Sequence, residues 1–333
     1  MIHLRIVTPP DRAEQVLELL CASASTCNVI RLPGVARRPD GDVLLCDVAR
    51  EDASVILADL RELGIARDGS IAIEEVDTEI SDAADRAVEA ARGAPADAVV
   101  WEEVEAHTSE SAELSLSFLA FMVLATLIAA VGIFLDTPIL IVGAMVVGPE
   151  FGPIAGFCVA AVHRRRPLAL RSLTALVVGF PTGILITLLA SLTFRWTGVT
   201  PDDFTEADHG LSNVIASPDF FAFFVAFCAG IAGMLSLTTA KSGALIGVLI
   251  SVTTIPAAAN IAVASAYGDW DSCAGSSAQL GVNLGAILLA GVLTLSVERV
   301  LFRRRRARHL QDPARARAGL PVSPSGRPRS PRL

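Results

Sequence analysis

Lysine is all but missing from this chain. Lys241 stands alone beside 26 arginines. We read that as the compositional bias of a GC-rich bacterial genome and attach no function to it. Paired cysteines are missing too. The six cysteines show no CxxC and no Cys/His spacing, which excludes the zinc motifs that a linear sequence announces. Cys21, Cys27 and Cys46 fall in a charged N-terminal region and read as free thiols. Cys158 and Cys228 fall in apolar runs and read as small core residues. The opening MIHLRIVTPP lacks the apolar core of a cleavable signal peptide. The first domain is therefore expected on the cytoplasmic side. A basic excess is also lacking: the net charge is −8, which argues against a nucleic-acid partner. No phosphate loop and no nucleophile–base spacing appears, so no enzyme and no cofactor is expected.

Apolar residues are what the chain has in abundance. It is 52% hydrophobic, with a mean hydropathy of +0.55. The distribution is uneven. Residues 1–112 are charged and punctuated by turns. Long apolar stretches then recur to about Phe302. The segment 304–333 is rich in Arg, Pro and Ser and reads as a disordered tail.

The first 80 residues predict a soluble α+β domain. His3–Thr8 alternates as a strand, and Asp11–Ala22 has apolar residues at helical spacing. Asn28–Val35 and Asp42–Ala49 read as a hairpin. Asp52–Leu63 reads as a helix with Asp52 as its N-cap. Ser70–Val76 closes the pattern as a strand. The order βαββαβ predicts a ferredoxin-like sandwich. Residues 81–112 read as a linker helix and an acidic connector.

Residues 113–303 predict a mainly α, polytopic membrane domain. Six stretches are long enough to cross a bilayer, at about 20 apolar residues each. They lie near 114–135, 138–162, 172–194, 219–239, 243–267 and 278–302. Arg164, Arg165 and Arg166 sit in one connecting loop, and Arg303, Arg304, Arg305 and Arg306 follow the last span. The positive-inside rule places these loops, and both termini, in the cytoplasm. The expected location is the cytoplasmic (inner) membrane of a bacterium. The arginines then serve topology and contact lipid headgroups.

The spans also repeat. Phe118–Val123 resembles Phe220–Val225 at a shift of 102; Gly143 and Pro153 match Gly247 and Pro256 at shifts of 104 and 103; Gly179 and Gly183 match Gly281 and Gly285, again at 102. These anchors predict two three-span units, 114–194 and 219–302. An odd number of crossings makes the second copy enter from the opposite side. That is an inverted repeat, as in many secondary transporters, with interrupted helices meeting near the midplane.

The interrupted stretches carry the candidate site. Gly148, Pro149, Gly152 and Pro153 break the second span around Glu150. Proline removes an amide donor and obstructs continued helix. Lipid offers the freed carbonyls no partner. An acidic residue at that depth costs roughly 2.5–3.5 kcal/mol. A bound proton or cation would lower the cost. In the fifth span, Ser251, Thr253, Thr254 and Asn260 surround Pro256. Asn283 adds an amide from the last span. The bland alternative is close helix packing by the glycines and back-bonding by Ser and Thr.

The stretches IVGAMVVGPEFGPI (141–154), GALIGVLISVTTIPAAAN (243–260) and QLGVNLG (279–285) resemble the bacterial and archaeal "uncharacterised hydrophobic protein" family of membrane proteins. The resemblance covers about 114–302, often with an N-terminal soluble domain. Many members have SerProLeu where this chain has GlyProGlu at 148–150. The resemblance implies a membrane protein and brings no activity with it. The expected function is that of a secondary transporter or channel-like permease. Its partners would be the lipid bilayer, a proton or cation with a small solute, and a second copy of the chain. The alternative is a membrane-anchored signalling or interaction protein whose ferredoxin-like domain senses a ligand or oligomerises.

Overall fold

The computed structural model describes residues 1–76, 78–91, 98–200, 215–217, 219–239, 247, 250 and 253–322. Two compact units emerge. The first is built from Met1–Glu103, Thr238–Ala240 and Val297–Leu333, the second from Val104–Leu237 and Lys241–Ser296.

Alternation shapes the first unit. In β1 (Ile2–Thr8), Ile2, Leu4, Ile6 and Thr8 point to one face and are buried. The chain then forms α1 (Pro10–Ala22), β2 (Thr26–Arg37), β3 (Asp40–Val48), α2 (Arg50–Glu62), a single turn α3 (Ile65–Asp68) and β4 (Ser70–Glu75). The sheet order is β2-β3-β1-β4 with every pairing antiparallel. This is the ferredoxin-like arrangement that the sequence predicts. Leu4 faces Cys46 and Ile6 faces Leu44 across the β1–β3 ladder. Val16, Leu19 and Leu20 of α1 and Ile56, Leu57 and Leu60 of α2 cover that face. Each such side chain contributes about 1.5–3 kcal/mol by burial. Helix α2 starts earlier than the sequence suggests. Ala49 is its N-cap and Asp52 lies inside the first turn, where its charge still favours the helix N-terminus. Two further helices follow, α4 (Asp82–Ala90), capped by Ser81, and α5 (Trp101–Ser111).

The second unit is helical. Helices α6 (Leu116–Phe134), α9 (Arg166–Trp196), α10 (Phe220–Thr238) and α12 (Trp270–His309) are long and apolar enough to cross a membrane. Between α6 and α9 lie α7 (Pro138–Val147) and α8 (Phe151–His163), which bend by 49° at the break between them. Helix α11 (Thr254–Tyr267) precedes α12. The described residues thus give four spans, or five if the bent pair is one, and not the six expected. Part of the expected span 243–267 lies outside the described residues.

Helix starts recur at a fixed interval. From α6 to α10 and from α9 to α12 the offset is 104 residues, and from α8 to α11 it is 103. Helices α8 and α11 both end on a left-handed residue, Arg164 at φ 57° and Gly268 at φ 76°. Glycine takes that conformation freely, while arginine does so at a cost.

The basic C-terminal segment is folded where disorder was expected. Helix α12 runs through the expected boundary at 303 to His309, and α13 (Pro313–Arg317) follows. Ala318 and Leu320 join the core of the first unit. The reason is electrostatic as well as apolar. Asp59 of α2 is fully buried, and Arg306, His309 and Arg315 converge on it. Composition alone carries no sign of that acceptor. Residues 323–333 lie outside the described residues.

Candidate functional site

The break between α7 and α8 is built by its own residues. Gly148 ends α7, Pro149 supplies no amide, and Glu150 occupies the N-cap position of α8 without capping it. Pro153 does not interrupt the helix. It sits in the first turn of α8, where the missing N–H would have had no helical partner anyway. Pro256 holds the same position in α11. Proline placed there starts a helix where sequence reading suggested a break within one.

Glu150 turns inward. Its residue is only 5% exposed. The Thr254 hydroxyl donates to Glu150 Oε1 at 2.7 Å. Glu150 Oε2 is buried and has no partner among the described residues. Leaving such an acceptor unmade is costly. Gly148 is required nearby, since a Cβ there would stand 2.7 Å from the Ile255 side chain and against the Glu150 carboxylate.

A second polar chain runs beside it. Asn283 Nδ2 donates to the Thr253 hydroxyl at 3.0 Å. Gln279 Nε2 donates to Asn283 Oδ1 at 3.2 Å. Asn260 Nδ2 donates to Ser276 at 2.9 Å. The start of α11 therefore carries Thr254 toward Glu150 and Thr253 toward Asn283. Ser251 lies outside the described residues. Gln279, Ser276 and Ser272 are buried and were not singled out from the sequence. Their signal is present: Ser272, Ser276, Gln279 and Asn283 follow spacings of four, three and four, one stripe on an apolar helix.

A cavity of about 400 Å³ opens beside the break. Gly148, Pro149, Phe151 and Gly152 line one side, and Glu110 and Glu113 another. Gly152 packs so tightly that a Cβ would lie 2.7 Å from the Ser111 carbonyl oxygen.

The arginines separate by position. Arg165 pairs with Glu105 at 2.9 Å, and Arg166 begins α9. Arg164 holds the left-handed cap described above. Arg303 and Arg304 are exposed. Arg305 donates to the Glu51 carbonyl and Arg306 to the Val55 carbonyl.

An uncharacterized protein of Methanocaldococcus jannaschii is 24% identical over 198 residues, 60% of this chain. The match spans 59% of that relative's own length. No solved structure matches. Residues 145–289, which hold Glu150, Thr253, Thr254, Asn260, Gln279 and Asn283, match the family described as "Domain of unknown function (DUF389)".

Proposed function

We propose that this membrane protein is a secondary transporter or channel-like permease. Its site is the junction of the α7–α8 break with the start of α11. One observation carries the reading: Glu150 is a buried carboxylate in an apolar bundle with one of its oxygens left open. A proton or a small cation is the ligand that such an oxygen takes, with Thr254 holding the other.

The repeat supports the same reading. Glu150 and Thr254 are 104 residues apart. Corresponding helix starts lie 103–104 residues apart. The bonded residues thus come from corresponding places in two three-helix units. Inverted repeats of transporters bring their interrupted segments together in this way.

The test is infrared difference spectroscopy on the protein in liposomes, with Glu150→Gln as control. The expected result is a carboxyl band that titrates, shifts with an added cation and is lost in Glu150→Gln. A band that never titrates, with the variant equally stable, rejects the coupled-ion role.

A second reading has its own observation. In the first unit, Glu51, Trp101, Glu298, Phe302, Arg304 and Arg308 line a cavity of about 360 Å³. Both Glu51 carboxylate oxygens are buried without a partner among the described residues. Burial pushes the Glu51 carboxyl up. This cavity supports ligand sensing by the ferredoxin-like domain. Loss of a small-molecule response in Glu51→Gln, with Glu150→Gln unaffected, would assign function there.

A further inference from the structure

The edge of the β2–β3 ladder holds a group of side chains with no part in the site above. Cys27 and Asp47 are direct cross-strand partners. Just after Cys27 the register slips, and Asn28 takes a positive φ of 52°. Bulges of this kind re-aim neighbouring side chains. Glu79 arrives from the connector that follows β4. One ligand atom from each of Cys27, Asp47 and Glu79 lies within 4.8 Å of the others.

Most of the carboxylate oxygens are held in place. Asn28 Nδ2 donates to Asp47 Oδ2 at 2.7 Å and to Glu79 Oε1 at 2.8 Å. His3 Nδ1 lies 2.6 Å from Asp47 Oδ1. Glu79 Oε2 remains, buried and without a partner among the described residues. The Cys27 thiol is also shut away, with the residue 8% exposed.

The charges do not balance. Two carboxylates facing a buried sulfur is an arrangement that a cation would relieve.

We propose that Cys27, Asp47 and Glu79 form a divalent-metal site of the zinc class. One sulfur and two oxygen ligands match the borderline-soft character of that ion. The fourth position stays open to water, as in three-ligand zinc sites. Bond lengths of about 2.3 Å to sulfur and 2.1 Å to oxygen require the ligand atoms to close to roughly 3.6 Å. That is a side-chain movement of about 1 Å or less. On binding, the thiol proton leaves to water and the sulfur bonds the metal. The ion would tie the connector after β4 to the β2–β3 edge. Asn28 and His3 would orient the carboxylates from behind. The ligands come from two strands and a connector, so no short spacing announces them.

The experiment uses the full chain, purified in detergent, stripped with a chelator and titrated with Co²⁺. The expected result is a thiolate-to-cobalt charge-transfer band that saturates at one equivalent and is erased by Zn²⁺. Cys27→Ser should remove the band. Glu79→Gln keeps the thiol and the fold of the sheet, and should weaken Co²⁺ binding about tenfold or more. No band in the wild-type chain overturns the site. A band that survives in Cys27→Ser assigns the metal to another cysteine and overturns it equally. Glu79→Gln binding as tightly as wild type removes the carboxylate from the set and overturns the triad.

Discussion

Asp59 and Arg315 form an ion pair in which both residues are completely buried, although 256 positions separate them. Arg306 and His309 reach the same carboxylate, His309 Nε2 at 2.7 Å. Glu62 accepts from Arg315 at 3.0 Å. The C-terminal segment is thus held by charge at one buried point and by Ala318 and Leu320 around it.

Removing Asp59 should therefore release that segment. A buried pair broken from one side leaves an uncompensated charge, at a cost of about 3–5 kcal/mol. Asp59→Ala removes the buried partner of Arg315 and leaves it only the half-exposed Glu62. Limited trypsin digestion should then cut at Arg315 and Arg317 in the variant and leave them protected in the wild-type chain. Equal protection in both would mean that the apolar contacts of Ala318 and Leu320 suffice.

Acid should do the same reversibly. Burial opposes ionisation of Asp59, but the hydrogen bond from His309 and the charges of Arg306, His309 and Arg315 outweigh it. The carboxyl is held below its ordinary value. A folded-state value below the unfolded one, about 3.9, gives stability that is complete above the unfolded value and lost as pH falls through the folded one. The segment should stay docked from neutral pH down to about 4 and release below that. A spin label at Val322→Cys, with the other thiols blocked, should turn mobile in that acid range. Release beginning near pH 6 would instead point to a group other than Asp59.

Glu150 and Thr254 should prove energetically coupled. Thr254→Val removes the hydroxyl that donates to Glu150 Oε1. The expected loss is about 1–3 kcal/mol. In the Glu150→Gln background the same change should cost less, by more than about 0.5 kcal/mol. Thermal unfolding in detergent of the four variants measures the cycle. Additivity would mean that the bond contributes nothing.

These relationships differ in how legible they are from sequence. Ile2, Leu4 and Ile6 announce a strand because burial on a sheet has period two. Glu150 stands out because a charge in an apolar run is expensive. Gln279 and Ser276 were overlooked because uncharged polar residues in a span are individually cheap and common. Asp59 and Arg315 leave no signal, since ion pairing across 256 residues has no period. Cys27, Asp47 and Glu79 are hidden for the same reason. Helix starts fared better than helix breaks: Pro153 and Pro256 mark first turns, which a sequence cannot tell from interruptions without the backbone around them.

The glycine pairs give the sharpest contrast between spacing and contact. Gly179-x-x-x-Gly183 and Gly281-x-x-x-Gly285 look alike in sequence, and that spacing suits close helix packing. Only the first pair packs among the described residues. A Cβ on Gly179 would lie 2.7 Å from the Phe118 ring, and one on Gly183 would lie 3.1 Å from Thr126, while Gly281 and Gly285 meet nothing within 4 Å. The tight approach to α12 is made elsewhere. A Cβ on Gly230 of α10 would stand 2.8 Å from Ala290 Cβ and 3.0 Å from the Ile287 backbone. Backbone cannot swing aside as a side chain can. Gly230→Ala should therefore cost about 1–3 kcal/mol through overpacking. Gly285→Ala should stay within about 0.5 kcal/mol of wild type. Thermal unfolding of both variants in detergent reads the difference. A large loss in Gly285→Ala, concentration-dependent and accompanied by a change in assembly size, would place a second copy of the chain against that face.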